Sequence, residues 1–242
     1  MLRPIRHFAE YWKRRSYQPN PYKENRSAQA LGRMYARKVG FPPVMETSIV
    51  EPVVATARLI AKVYAKAKSL PKDPLVRRCY NNLIHEVAFQ YTILPVKITS
   101  YGDHDAPPYR DSKGMMDDLL EKKHLYVYSG GEDHPIFTRK ENFKFRAVHD
   151  YFGHAARGFS FGPKGEENAW IEHCKLFSPF ARMALTTETR GQNSWVNFGP
   201  YSNLPPDKRP YARQKVFILP RPLRIHPVFE EAYRQYPEFV GP

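Results

Sequence analysis

The chain has 242 residues, of which 42% are hydrophobic and 14% aromatic, and its formal net charge is +14. This length is sufficient for one large domain with a buried core, and the two cysteines, Cys79 and Cys174, exclude a small disulfide-rich scaffold. No run of about 18 apolar residues occurs, and the N-terminus lacks a signal-peptide pattern, so the sequence predicts a cytoplasmic protein without a membrane span.

Positive charge is concentrated at the N-terminus. Residues 1–40 contain ten Lys or Arg side chains against Glu10 and Glu24, a net charge of +8. Because aromatic residues alternate with these cations, one hypothesis is that residues 1–40 bind nucleic acid through phosphate contacts and stacking. The other is that they lie against an acidic protein surface. The prolines in "GFPPVMETSIVEP" end this segment, and we assign residues 1–45 to a basic arm or linker and residues 46–242 to a core domain.

Helical patterns dominate the core domain. Apolar residues keep a rough 3.6-residue period from Glu51 to Leu70, and "PLVRRCYNNLIHEVAFQYTIL" predicts a second helix from about Pro74. The β-branched and aromatic stretches "PVKITSY" and "HLYVYSGG" predict two strands separated by the short helix "MMDDLLEKK". "KVFILP" is a further strand candidate, and "HPVFEEAYRQY" predicts a closing helix. The predicted fold class is mainly α with a small β element.

The stretch "FRAVHDYFGHAARG" contains two histidines five residues apart. If residues 143–152 form a helix, His149 lies on its apolar stripe and points into the core. An unbroken α-helix would rotate His154 away from His149 by about 140°. Gly153 is placed to end the helix in a left-handed cap conformation, which would turn His154 back toward the axis. The sequence therefore predicts that both imidazoles face one point.

A second helix supplies a carboxylate. Ser178 and Pro179 form a typical N-cap and first turn, and Gly191 is placed to end the helix. Glu188 lies on the apolar stripe of this helix, so its carboxylate must be protonated, paired with Arg190, Arg182 or Arg146, or bound to a metal. Two imidazoles and one carboxylate are the ligand set of mononuclear Fe(II) oxygenases, and they also suit zinc or manganese. We predict the metal ligands His149, His154 and Glu188.

Other polar residues near these positions are candidates for catalytic roles. Asp150 follows His149 and is expected either to orient a ligand or to be solvated on the helix surface. "TRGQNSWVNFG" is rich in amides, and it predicts either a substrate-orienting wall or a well hydrogen-bonded loop. The candidate wall residues are Arg190, Gln192, Asn193 and Trp195. His173, on a stripe with Trp170, is expected to support a ligand or to fill the core.

Two of these stretches resemble a known family. "HDYFGH" resembles the His-Glu-Leu-Leu-Gly-His element of the pterin-dependent aromatic amino acid hydroxylases, and "LTTETRG" is similar to their Thr-Val-Glu-Phe-Gly stretch. The resemblance implies iron binding by His149, His154 and Glu188. Asp150 stands where that family has glutamate, and no pterin-binding segment is identifiable, so the resemblance supports iron and leaves pterin unsupported.

A longer pattern points to a viral setting. The string from "FRAVHDYFGHA" to "TTETRGQNSWVNFGP" resembles an uncharacterised domain of bacteriophages and mobile elements, which implies a location in the host cytoplasm. The resemblance to this domain implies no particular activity.

Three functional hypotheses follow. The first is a mononuclear non-haem Fe(II) oxygenase or hydroxylase that acts on a small molecule, or on a nucleotide if the basic arm binds nucleic acid. The second is a phosphohydrolase of the histidine-aspartate type, with His149, Asp150, His85 and Asp207 as ligands. The third is a non-enzymatic phage structural or nucleic-acid-binding component whose histidines are packed in the core.

Overall fold

A computed structural model describes residues 22–241, and helices account for most of this part of the chain. The mainly α fold class with a small β element is confirmed. In chain order the helices are α1 Arg26–Lys38, α2 Val54–Lys66, α3 Pro74–Thr92, α4 Ser112–Lys122, α5 Arg139–Val148, α6 Pro163–Cys174, α7 Pro179–Thr186, α8 Gln192–Phe198, α9 Arg221–Arg224, α10 Pro227–Ala232 and α11 Pro237–Val240. Each of them is too short or too polar to span a bilayer.

Two strands form the sheet of the described region. β1 Lys97–Tyr101 and β2 His124–Tyr128 pair in parallel, and α4 connects them. Because parallel neighbours need a crossover connection, the predicted strand–helix–strand order produces this arrangement directly. The prediction of a strand at "KVFILP" is wrong. These residues form no strand. The Val216 N–H donates to the Ser69 hydroxyl, the Val216 carbonyl accepts from the Leu70 N–H, and the Val216 side chain is buried in the core.

Two helices contain π-helical segments. α5 continues without a break into π1, His149–Ala155, and α7 continues through π2, Thr187–Gly191, into α8. The predicted helix start at Ser178 is confirmed, since its side chain accepts from the Ala181 backbone N–H. The predicted helix ends at Gly153 and Gly191 are wrong. Gly153 is inside π1, and Gly191 has φ −61°. Positive φ follows later, at Gly158, where the chain turns after π1.

The described part of the basic segment is folded. α1 buries Ala28, Tyr35 and Ala36 in the main hydrophobic core, and the Gln29 side chain donates to the Ala156 carbonyl just after π1. Its opposite face is exposed and carries Arg26, Arg33 and Arg37. The rest of the predicted basic arm, residues 1–21, lies outside the described residues. The domain boundary drawn at residue 45 stays a prediction.

The core is built around α3 and α7. α3 packs against α7 and α5, π1 packs against α6, and α2 packs against α8 in a smaller apolar cluster with Phe217 and Leu219. This packing buries the inner faces of π1, α6 and π2 on neighbouring sides of one polar cavity. The fold therefore brings segments separated by up to about forty residues to a single site.

Candidate metal centre

π1 brings the two histidines of the sequence motif together. A π-turn bonds residue i to residue i+5, so side chains five apart share a face, as His149 and His154 do here. Their ring centroids lie 5.0 Å apart, with the rings nearly perpendicular. The predicted convergence of the two imidazoles is thus observed, but a widened turn produces it instead of a left-handed cap.

Gly153 is required for a reason other than backbone freedom. A Cβ at this position would lie 3.0 Å from His149 Nδ1 and 3.1 Å from the Ala169 carbonyl of α6. The His149 ring therefore occupies the space that a side chain would need, and α6 approaches the same point. Gly153 allows the histidine pair and the helix that faces it to pack together.

The carboxylate nearest the two histidines is Glu166. Its Oε2 lies 3.5 Å from His154 Nε2 and 3.9 Å from His149 Nε2, and one ligand atom from each of the three residues lies within 4.8 Å of the others. Glu166 is in the first turn of α6. That turn meets the preceding loop so closely at Gly165 that a Cβ there would lie 1.8 Å from the Ser160 carbonyl oxygen.

A hydrogen-bond chain fixes the tautomer of His149. Gln90 donates through Nε2 to the Leu176 carbonyl, so its Oε1 is the acceptor that faces His173 Nε2 at 3.1 Å. His173 therefore carries its proton on Nε2 and accepts through Nδ1 from His149 Nδ1, 3.1 Å away. The lone pair of His149 is consequently on Nε2, the atom that faces Glu166.

His154 is fixed in the same way by the backbone. Its Nδ1 lies 3.2 Å from the Phe159 carbonyl, which only accepts, so Nδ1 carries the proton and Nε2 carries the lone pair. Metal-binding histidines generally donate their other ring N–H to such an acceptor, which sets the ring orientation. Both histidines thus present Nε2 lone pairs toward the Glu166 carboxylate.

The three groups fit a bound cation. His149 Nε2 is buried and has no hydrogen-bond partner among the described residues. Burial lowers the pKa of His149 and holds the pKa of His173 well below its usual value, which favours the neutral imidazoles that coordinate metals. Two lone pairs and a carboxylate that face one another in a buried site are stabilised by a proton or a metal ion between them. The His149–His154–Glu166 triad can hold a metal ion.

Glu188, the third predicted ligand, has other partners. Its Oε1 accepts from the Tyr80 hydroxyl and from His134 Nε2, and its Oε2 accepts from Gln192 Nε2 at 2.8 Å. His134 Nδ1 accepts two backbone N–H groups, so its Nε2 is the donor. Glu188 lines the same cavity as the triad but is not part of the three-residue group. The structure therefore brings together two of the three predicted ligands and a different carboxylate.

The cavity beside the triad has a volume of about 100 Å³. Asp150, Gln192 and Asn193, three of the predicted catalytic residues, line it. Arg190 is outside this lining: its guanidinium pairs with Glu167 at 2.6 Å, donates to the Leu223 carbonyl and stacks on Trp170. We therefore retain Asp150, Gln192 and Asn193 as candidates for contact with a substrate, whereas the observed contacts of Arg190 stabilise the packing of α6 on π2.

The residues of the histidine-aspartate alternative are not assembled. His85 is exposed on α3 and does not belong to the His149–His154–Glu166 cluster found in the described region. The side chain of Asp207 lies outside what the structure describes. The alternative keeps only His149 and Asp150 at the cavity.

The sequence contains a pattern that identifies Glu166 as a second candidate carboxylate. Glu166, Trp170 and His173 are at i, i+4 and i+7 of α6, so Glu166 shares a buried stripe with two aromatic side chains. This is the same criterion that selected Glu188. The second carboxylate on an apolar face was therefore recognisable, but its proximity to the histidines depends on the packing of α6 against π1.

No protein-family model, no curated protein and no solved structure matches this chain. The geometry of the triad and of the cavity is consequently what supports any function for this protein.

Proposed function

We propose that the protein is a metal-dependent enzyme with one catalytic metal ion held by His149, His154 and Glu166. The observation that carries the proposal is the convergence of two oriented Nε2 lone pairs and a carboxylate at the wall of a cavity. Structural metal sites are usually closed by four protein ligands, whereas three ligands beside a cavity leave room for a substrate. The arrangement supports catalysis better than a purely structural role.

The leading candidate is a non-haem Fe(II) oxygenase. Two histidines and one carboxylate are the ligand set of this class, in which iron keeps open positions and activates oxygen. The resemblance of "HDYFGH" to the iron site of the aromatic amino acid hydroxylases supports the two histidines, and Glu166 takes the place that the resemblance gave to Glu188. Pterin remains unsupported.

We propose that Glu188 acts as a general acid or base that exchanges a proton with the substrate. Tyr80, His134 and Gln192 donate to its two oxygens and hold the carboxylate in a fixed position on the cavity wall. A general acid or base needs this kind of fixed position within reach of its substrate. This role gives Glu188 a function at the cavity wall outside the triad.

A zinc-dependent hydrolase is the second candidate, and the ligand spacing favours it. Two ligands about 2.1 Å from a metal lie roughly 3.4 Å apart in a tetrahedral site and roughly 3.0 Å apart at right angles. The observed separations from Glu166 Oε2, 3.5 Å and 3.9 Å, are nearer the tetrahedral value. In this case Glu188 would serve as the general base for an attacking water.

Elemental analysis of protein purified without chelators tests the proposal and separates its two candidates. After supplementation with iron and zinc, we expect one metal ion per chain, and we expect His149→Ala to lose it. His104→Ala is the matched control, because His104 is exposed in a loop away from the cavity. Iron together with substrate-dependent oxygen consumption supports the oxygenase, and zinc alone supports the hydrolase. A parent protein without stoichiometric metal would favour the non-enzymatic hypothesis.

We also propose that the basic N-terminal segment binds nucleic acid. In its described part, Arg26, Arg33 and Arg37 share the exposed face of α1 at i, i+7 and i+11, opposite the face that is packed in the core. Such a stripe can contact phosphates of a nucleic acid backbone independently of the base sequence, and contacts of this kind weaken as the salt concentration rises. We expect affinity for single-stranded DNA or RNA to fall steeply with salt and to weaken in a triple Arg→Gln variant. If the triple variant bound nucleic acid as tightly as the parent protein, the hypothesis that this segment lies against an acidic protein surface would be favoured instead.

A further inference from the structure

The amide groups on the cavity wall have fixed polarities, and these indicate what the cavity recognises. We propose that the cavity binds a nucleobase, which presents an N–H donor to Gln192 and an acceptor to Asn193. This inference rests on the proposed function and adds the substrate class to it. Three observations support it: the orientation of Gln192, the orientation of Asn193, and the aromatic rings around them.

The Glu188 carboxylate orients Gln192. Gln192 Nε2 donates to Glu188 Oε2 at 2.8 Å and to Gln214 Oε1 at 3.1 Å. The reverse orientation would place the amide oxygen against the carboxylate, so the assignment is forced. Both N–H groups of Gln192 are therefore used, and within residues 22–241 its Oε1 has no donor. This oxygen is an acceptor available on the cavity wall.

Arg209 orients Asn193 through a chain of two amides. The Arg209 guanidinium, which only donates, bonds to Asn197 Oδ1 at 2.9 Å. Asn197 Nδ2 must then face Asn193, and it donates to Asn193 Oδ1 at 2.7 Å. The Asn193 Nδ2 group is left without an acceptor in the described region. Asn193, which lines the same cavity as Gln192, thus keeps an amide donor that the described residues leave unused.

The rest of the wall contains rings that suit an aromatic ligand. Phe145, Tyr128 and Tyr211 line the cavity with rings. Arg146 also lines the cavity, and its Nη1 donates to the Tyr128 and Gly130 carbonyls at 2.8 and 3.0 Å. A planar heterocycle needs rings for stacking and a donor–acceptor pair for its edge.

Binding measurements with the zinc-loaded full-length protein test the inference. The probes for calorimetry are thymidine, deoxycytidine, deoxyadenosine and deoxyguanosine, a single-stranded oligonucleotide, and N-acetylglycinamide as an open-chain amide. We expect at least one nucleoside or the oligonucleotide to bind, and the open-chain amide not to bind. Comparing the nucleoside with the oligonucleotide shows whether the base arrives free or within a strand.

Asn193→Asp is the decisive variant. It keeps the oxygen that accepts from Asn197 but replaces the cavity-facing donor with an acceptor, so we expect binding of the base to weaken roughly tenfold or more. Asn81→Asp, on the exposed face of α3, is the matched control and should bind normally. Metal stoichiometry should be unchanged in both variants, which verifies that the site is intact.

The outcomes distinguish this inference from the proposed function. If the parent protein binds metal but none of the four nucleosides and no oligonucleotide, the inference is overturned and the metal centre stands. Equal binding by the parent protein and Asn193→Asp, or binding of N-acetylglycinamide alone, also overturns it. If the parent protein binds no metal at all, the proposed function fails instead.

Discussion

Substituting Glu166 and Glu188 one at a time tells which of these cavity carboxylates binds metal. Glu166→Gln keeps the size of the side chain and removes the charge that faces His149 and His154 at 3.9 and 3.5 Å. Changing a residue that only supports a ligand typically weakens metal binding 10–100-fold. Loss of a ligand should therefore weaken it by more than about 100-fold, which corresponds to about 2.7 kcal/mol. Glu188→Gln, which alters only a neighbouring wall residue, should change affinity less than about tenfold.

The same difference should appear in thermal stability. A metal present at about 100 times its Kd stabilises the folded state by about 2.7 kcal/mol. For a chain of this length each kcal/mol shifts Tm by about 2–4 °C, so saturation should raise Tm by about 5–10 °C. We expect this increase in the parent protein and in Glu188→Gln, and we expect it to be absent in Glu166→Gln at the same metal concentration.

The assay is a thermal melt with and without Zn(II), or with Fe(II) under anaerobic conditions, combined with elemental analysis. Variants that melt normally without metal are correctly folded, so a missing increase in Tm reports on coordination. If Glu188→Gln lost the metal response while Glu166→Gln retained it, the assignment of the third ligand would be refuted and the original sequence-based triad restored.

Three further predictions concern the residues around the site. Gly153→Ala should destabilise the protein by about 1–3 kcal/mol and weaken metal binding, because the new Cβ would lie 3.0 Å from His149 Nδ1. The control is Gly114→Ala, where the nearest atom would be 3.8 Å from the Cβ, and chemical denaturation should show an unchanged free energy of unfolding. Gln90→Leu should weaken metal binding roughly 10–100-fold, because His173 and His149 would lose the acceptor that fixes their tautomers. A change below twofold in a metal titration would contradict the role of the Gln90–His173–His149 hydrogen bonds. Burial lowers the folded-state pKa of His226 to about 4, so only the unfolded chain binds this proton between about pH 6.5 and 4. The free energy of unfolding should therefore decrease as the pH is lowered from about 6.5 to 4. His226→Asn should make this decrease smaller by about 1–2 kcal/mol, after allowance for solvent screening.

The sequence was informative where chemistry depends on local pattern. The apolar stripe that contains His149 and the five-residue spacing to His154 identified two of the three residues of the triad. The cap at Ser178 and the strand–helix–strand order were also predictable, because each depends on neighbouring residues. The helical fold class followed from the same periodicity.

The sequence was less informative where contacts join distant segments. Tyr80 and His134, which bind Glu188, lie 108 and 54 residues before it. A buried carboxylate needs partners, and the sequence indicated that need without showing whether a metal, an arginine or a set of hydroxyl and imidazole donors would supply them. The prediction of a strand at "KVFILP" was wrong for a related reason, since a stretch of buried apolar residues also fits an irregular segment packed in the core.

The π-segments explain why the histidine spacing and the glycine belong together. In an α-helix, residues five apart are rotated by about 140°, so two histidines at this spacing diverge unless the turn is widened. A π-turn widens it and is found often at functional sites, but it is rare elsewhere. At Gly153 the widened turn also leaves space for the His149 ring and for the approach of α6, which carries Glu166. The two histidines, the glycine and Glu166 therefore depend on one local distortion, and the resulting geometry is what a metal ion would stabilise.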